Sequence, residues 1–377
     1  MSTVIGAPDR YIQGRGEMNR LYEHASRLGN NFLVVAEELT MSSMHGRIEQ
    51  AFDGTGAVLI YEDFSGTCSA PEIDRLATVA DLSSCDAVMS VGGGRATNAA
   101  RAVAALHGLP LIVVPTTAAT GAPCSSVAVV TDEEGVFQEL RIYPVHPAVV
   151  IVDSEVIAQA SLRTLVAGIG NTVAAWLGAR AHRQSGADNL LSGKGTLASY
   201  AVATLGYETV LRDGLRAVVA SQTGVATRAF EDVLEASIYC SGVAFENCGP
   251  AAAHSVGNAL TLLPEARQHS YGELAAFGSI VQLVLENAPR DEMDDVVNLF
   301  LSTGLPLTLE DLGLGDAPRS ALEHVADAAC GPRNYMSVMP FEVSPADVLG
   351  ALLAADATGH LYEEDEEHGE HEGEEDD

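Results

Sequence analysis

The run Asp86-Ala87-Val88-Met89-Ser90-Val91-Gly92-Gly93-Gly94-Arg95-Ala96-Thr97-Asn98 decides how the rest of the chain is read. Its first six residues form a short, mostly apolar run of the kind found in buried strands. From residue 96 to 106 the spacing of apolar side chains predicts a helix. Three glycines join the two. A strand that passes through glycines into a helix presents unpaired N–H groups and the positive end of the helix dipole, and glycine lets a ligand approach the backbone. The junction suits a pyrophosphate, although a glycine triplet taken alone also serves as a plain tight turn.

Outward from this run the same alternation repeats. Residues 31–36 read as a strand, 41–52 as a helix, 57–61 as a strand, 71–82 as a helix and 109–114 as a strand. Such alternation predicts an α/β fold, a parallel sheet covered by helices on both faces. Ligands in such sheets gather at the carboxyl ends of the strands, where Gly92, Gly93 and Gly94 sit. Between residues 126 and 153 the pattern changes to β-branched runs at 127–131 and 136–143 around Asp132-Glu133-Glu134-Gly135, a hairpin leading to a strand at 148–152. From Glu155 onward the periodicity is almost wholly helical, as at 172–182, 197–210, 228–240 and 274–285. The expected organisation is a dinucleotide-binding α/β domain at 1–154, an all-α domain at 155–362, and an acidic tail at 363–377. That tail holds eleven Asp or Glu with His368 and His371, a composition that predicts a solvated, disordered segment.

The 377 residues, 47% of them apolar, can bury a large core and exclude a disordered protein. No apolar run approaches the roughly 18 residues that span a bilayer, and no basic segment followed by an apolar one opens the chain. A cytoplasmic protein is the expectation. The six cysteines lack CxxC spacing and read as reduced, mostly buried thiols. The net charge of −32 comes with a single lysine, Lys194. Molar salt shortens the Debye length to below about 3 Å, so dense carboxylates repel little there; the composition points to a high-salt cytoplasm. It argues against nucleic acid and anionic membranes as partners.

Four segments carry a resemblance: Gly92-Gly93-Gly94-Arg95; Pro115-Thr116-Thr117-Ala118-Ala119-Thr120-Gly121-Ala122-Pro123-Cys124-Ser125; Ala167-Gly168-Ile169-Gly170-Asn171; and Phe245-Glu246 through Ala251-Ala252-Ala253-His254 to Tyr271-Gly272-Glu273. In order and spacing they are similar to the glycerol dehydrogenase family of the group III, iron-containing alcohol dehydrogenase superfamily, over about residues 8 to 350. The resemblance implies a dehydroquinate synthase-like architecture with a cleft between its two domains, NAD(H) as cofactor, a small-molecule alcohol or carbonyl as substrate, and a homo-oligomer, often an octamer. It places Gly92, Gly93, Gly94 and Arg95 at the pyrophosphate, with Thr116 and Thr117 beneath adenine and ribose. Ser125, Val127 and Val129, with Tyr143 further along, fall on the nicotinamide side. Arg95 stands where the family commonly has lysine. Glu62 or Asp63, ending the second strand, would receive the ribose hydroxyls.

The resemblance also implies a catalytic zinc held by one aspartate and two histidines, and here those places hold Asn171, His254 and Tyr271. Zinc needs deprotonated, well-placed ligands; Asn171 is a neutral amide and Tyr271 a phenol with an ordinary pKa of about 10. No zinc is expected. Gly121 and Gly257 replace an aspartate and a second histidine, and Asn98 another aspartate. Two rescues remain open at this stage. His269 with His254 and Glu246 would offer another ligand set, or Tyr271, its pKa lowered by His254 or an arginine, would act as acid or base without metal. The less charged cleft implies a less polar or larger substrate than glycerol. The expected function is NAD-linked hydride transfer with His254, Tyr271 and Asn171 facing the substrate. The alternative is a non-catalytic NAD(H)-binding sensor or assembly protein. A phosphate-handling relative or a cyclase fits less well, because the cleft segments supply few basic residues.

Overall fold

The computed structural model describes residues 2–373, with side chains through Glu364. Six strands, all parallel, form the central sheet: β1 (Tyr11–Gly14), β2 (Asn31–Ala36), β3 (Val58–Asp63), β4 (Ala87–Gly92), β5 (Leu111–Pro115) and, after a hairpin of β6 (Val127–Thr131) and β7 (Phe137–Ile142), β8 (Val149–Asp153). Their spatial order is β1-β8-β5-β4-β2-β3. Between them run α1 (Leu21–Ala25), α2 (Glu38–Phe52), α3 (Ala70–Leu82) and α4 (Gly94–His107).

Alternation along each strand divides the core between the two faces. Phe32, Val34, Met89, Val91, Ile112 and Ile151 pack with α2 residues such as Ile48 and Phe52. Leu33, Val35, Val88, Val113 and Val150 turn the other way, onto α3 and α4. Burying each large apolar side chain contributes about 1.5–3 kcal/mol, so both faces must be covered for the sheet to form. That second layer of packing continues without a break into the helices that follow.

Asp153 ends β8, and its carboxylate caps the next helix by accepting from Glu155 N–H at 3.0 Å. Then come α5 (Ser154–Ala158), α6 (Leu162–Ser185), α7 (Leu197–Gln222), α8 (Arg228–Glu235), α9 (Ser241–Asn247), α10 (Ala252–Leu260), α11 (Tyr271–Leu285), α12 (Arg290–Thr303), α13 (Arg319–Ala329) and α14 (Pro345–Gly373). A π-helical turn at Ala236–Cys240 joins α8 to α9 within the stretch whose pattern predicts one helix. All six cysteines are free thiols, five of them buried. No helix among the described residues is long and apolar enough to cross a membrane.

Two features depart from the sequence-based expectation. β1 adds a strand at the sheet edge, where Tyr11 pairs with Val150 and Gly14 with Asp153. At the other end, α14 continues through Gly373, so residues 363–373 are helical where composition predicts disorder. Adding a residue to an existing helix costs far less than nucleating one, and glutamate is a good helix former. The remaining four residues of the tail lie outside the described ones.

The N-terminal segment straps the sheet to the helices. Thr3 bridges Lys194, and Asn247 exchanges hydrogen bonds with Gly6, accepting from its N–H at 2.6 Å and donating to its carbonyl at 2.8 Å. Lys194 itself donates to the carbonyl of Gly186, which closes α6, and pairs with Asp188 at 2.7 Å.

Candidate active site

The glycine junction forms as expected. Gly92 ends β4 with φ of 152°, a conformation side chains rarely adopt, and α4 begins at Gly94 with no side-chain cap and no acidic residue in its first turn. Its first N–H groups and dipole end are thus left for an anion. Thr97 closes the turn by donating through its hydroxyl to Gly93 O at 3.0 Å, and Thr116 N–H donates to Gly92 O at 3.1 Å. A Cβ on Gly94 would lie 2.7 Å from Thr120 Oγ1, so the following loop closes directly over the helix start. Thr116 and Thr117 are half-buried beside it. Ser125 and Val127 are buried and Val129 half-buried, the Ser125 hydroxyl accepting from Val127 N–H at 2.9 Å.

The acidic residue that pairs with Arg95 of this cradle is Glu37. Because β2 adjoins β4 in the sheet, the residue following β2 comes alongside the glycines, and Glu37 there pairs with Arg95 at 3.5 Å. Glu62 and Asp63 end β3, one strand further out, and Glu62 is held by Arg75 at 2.8 Å. Strand order is the missing information: it decides which acid is adjacent, and sequence alone does not give it.

The three positions of interest lie on α6, α10 and α11, which pack against one another. The helices nearly touch. A Cβ on Gly272 would lie 2.0 Å from Ala167 O, and one on Gly170 would lie 2.7 Å from Gly272 O. Tyr271 at the start of α11 lies near His254 on α10, and Asn171, next after Gly170, is buried on α6. His254 is 1% exposed, and neither ring nitrogen has a hydrogen-bond partner among the described residues. Its ring lies 5.0 Å from Phe245 and 6.2 Å from Tyr271 between centroids. The Tyr271 hydroxyl reaches His254 O only at 3.5 Å, the outer limit of a hydrogen bond.

Burial and the neighbouring His182 push His254 down to about 3, so the imidazole is neutral at physiological pH. Burial, with Tyr335 adding to it, pushes the Tyr271 phenol well above its usual range. That corrects the expectation of a lowered tyrosine pKa: no arginine faces the phenol, and desolvation dominates. The His269 rescue fails as well. His269 lies outside the Ser270 cap of α11, 3.3 Å from Arg163 and beside Glu273, while Glu246 is engaged elsewhere by Ser126 and His146.

A zinc ion does not fit the residues present. Among the described residues no group of three or more His, Cys, Asp or Glu is placed to hold a metal. A metal-bound histidine normally donates its second ring N–H to a carboxylate or carbonyl, and His254 has no such partner. Nor does the structure leave room for the missing aspartate at Gly121. A Cβ there would meet the backbone of Gly242 at 2.2 Å. At Gly257 the nearest atom, Ala275 N, lies 3.3 Å from the Cβ position, a tight but adjustable contact. Asn98 is spent on a buried arginine, its Oδ1 accepting from Arg101 at 2.9 Å.

Known proteins share the sequence and the fold of this chain. Residues 8–154 match the family model of iron-containing alcohol dehydrogenase. A glycerol dehydrogenase of Escherichia coli O6:H1 is 41% identical over 362 residues, 96% of this chain and 99% of that protein. A glycolaldehyde reductase of Halobacterium salinarum is 39% identical over 364 residues, covering 95% of this chain and 98% of that one. The crystal structure of a probable glycerol dehydrogenase from Sinorhizobium meliloti superposes with a TM-score of 0.91 at 36% identity, covering 96% of this chain and 100% of that one.

Proposed function

The chain belongs to the glycerol dehydrogenases of the iron-containing alcohol dehydrogenase family, and from that premise we propose that it binds NAD(H) and exchanges hydride with a small alcohol or carbonyl without a resident zinc. Two observations support the proposal: an uncapped cradle at Gly92, Gly93 and Gly94, and a buried imidazole, His254, whose two nitrogens are unpartnered among the described residues. Buried polar atoms are rarely left so, and a ligand oxygen is the partner this place lacks.

NAD(H), when bound, supplies the hydride acceptor or donor. The chain's own groups bind and orient. Tyr271 keeps its proton, so its hydroxyl serves as a donor toward a carbonyl oxygen. Neutral His254 offers one donor and one acceptor, and the Asn171 amide offers both. None of the three carries charge, which favours a substrate less polar than a triol. The high-salt cytoplasm and the homo-oligomer implied by the resemblance belong to the same proposal.

One observation favours a second reading, a protein that binds NAD(H) and stops. The Gly121 to Gly242 contact fills the place of a substrate-binding carboxylate, and neither His254 nor Tyr271 is poised near neutrality as an acid or base. Turnover decides between the two. NAD⁺ reduction with a panel of alcohols and NADH oxidation with aldehydes and ketones, run in molar KCl with and without zinc or manganese, should show metal-independent turnover. Turnover that appears only with zinc refutes the zinc-free site. NADH binding with no turnover on any substrate supports the second reading.

A further inference from the structure

Residues 122–127, which lead from the cradle loop into β6, are gripped from both sides by buried charges. From α4, Arg101, 2% exposed, donates to the Val127 carbonyl at 2.9 Å and to the Ala122 carbonyl, while also holding Asn98. From α9, Glu246, fully buried, accepts from Ser126 N–H at 3.1 Å and from the Ser126 hydroxyl. His146 Nε2 completes the carboxylate's shell at 3.0 Å. Burial pushes Arg101 down to about 10, and Glu246 is the foremost of the charges that oppose this, so arginine and glutamate attract each other across the segment. Burying two charges is costly unless both are fully engaged. Here they are spent on one short piece of backbone rather than directly on each other.

The place of that backbone gives the clamp its meaning, on the reading that the cradle holds NAD(H). Glu37 lies on the β2 side of the glycines and takes the adenosine half in that direction. The other half must run toward β5 and the segment that follows it, where the Gly94 cradle meets Thr120 and Ala122 and where Ala118 O abuts α6 at Gly168. Residues 122–127 therefore form the wall against which the nicotinamide half rests. The geometry points to Glu246 as a positioning residue. It reaches from the helical part of the molecule to fix Ser126, working against Arg101 on the far side, and so holds the nicotinamide wall at a set distance from the substrate groups.

ADP-ribose carries the adenosine and pyrophosphate but no nicotinamide, so it separates the clamp from the cradle. In titrations of the full chain in molar KCl, Glu246→Gln should weaken NADH about tenfold, the usual scale for a buried charge-assisted hydrogen bond, and leave ADP-ribose within about twofold. Ser126→Ala, which removes only the hydroxyl, should show the same selectivity at about threefold. Equal weakening of both ligands would make Glu246 a structural tie alone, and no change in either would show that the wall needs no clamp; either result overturns the inference. Unaltered protein that binds neither ligand refutes the NAD(H) cradle, and the clamp with it. Turnover plays no part in the readout, so a protein that binds but does not react still tests the clamp.

Discussion

One half of the proposed site is made of backbone atoms: the N–H groups that open α4, shaped by Gly92 and Gly94 and closed over by Thr120. The other half is made of side chains, Asn171, His254 and Tyr271, carried by α6, α10 and α11. Glycine contacts set the helix packing of the second half, where among the described residues no group of three His, Cys, Asp or Glu is placed to hold a metal. A site made of backbone persists as long as the fold does. A site made of three side chains can change its chemistry with no visible change in the fold.

The sharpest way to break that contrast is to put a side chain into the backbone site. Gly94→Val would press on Thr120 and fill the anion's path, and NADH affinity should fall about 100-fold or more with the fold intact, as read by fluorescence titration and melting. Retained affinity would mean that the pyrophosphate lies elsewhere. The reverse experiment writes a metal site back into the other wall. Asn171→Asp combined with Tyr271→His should create zinc binding measurable by calorimetry, while either change alone should not, because zinc needs the ligand count as well as the type. If the pair fails, the wall has been rebuilt beyond its ligand positions, and the Gly121 contact with Gly242 is where to look first.

A subtler effect concerns His254. Since neither ring nitrogen has a partner to lose, His254→Leu should stabilise the protein by about 1 kcal/mol, raising its melting point by roughly 1–2 °C. The pH dependence follows from the sign of its shift. The folded histidine titrates near 3 and the unfolded one near 6.5, so below about 6.5 the unfolded chain binds the extra proton and stability falls as pH drops toward 3. His182, pushed by burial down to about 4, adds a second contribution of the same sign. Melting curves from pH 7 to 5 should show the leucine variant pulling further ahead of the parent as pH falls. A constant gap would show that His254 is partnered in solution. Smallest of all, Glu37→Gln should weaken NADH about threefold and Glu62→Gln not measurably, since only Glu37 adjoins the cradle. The opposite ranking would move the ribose to β3.

Most of the central sheet was legible because its strands are long enough to display their apolar residues; residues 31–36 form a strand as expected, and the glycines lie where the pattern puts them. β1 was not legible. Tyr11-Ile12-Gln13-Gly14 has one strongly apolar residue and becomes a strand only by lying against β8. In the candidate site, His254 and Tyr271 lie near each other, but the state of each group depends on burial that spacing does not encode. His269 shows the limit most plainly. Two residues from Tyr271 in sequence, it is sent to Arg163 by the cap at Ser270. Arg101 gave no signal, and Glu246 was singled out only as a possible metal ligand, since their shared target emerges only when α4 and α9 close on the same six residues.

Lys194, the only lysine, sits where the N-terminal strap meets the end of α6. Amine-directed reagents therefore find one side-chain target in the whole molecule. Acylating it would remove the cation that closes Gly186 and pairs with Asp188, at the point where the sheet is tied to the helices. A dye or crosslinker meant as a neutral tag would thus be installed on a structural fastening, and labelled protein would report a loosened molecule.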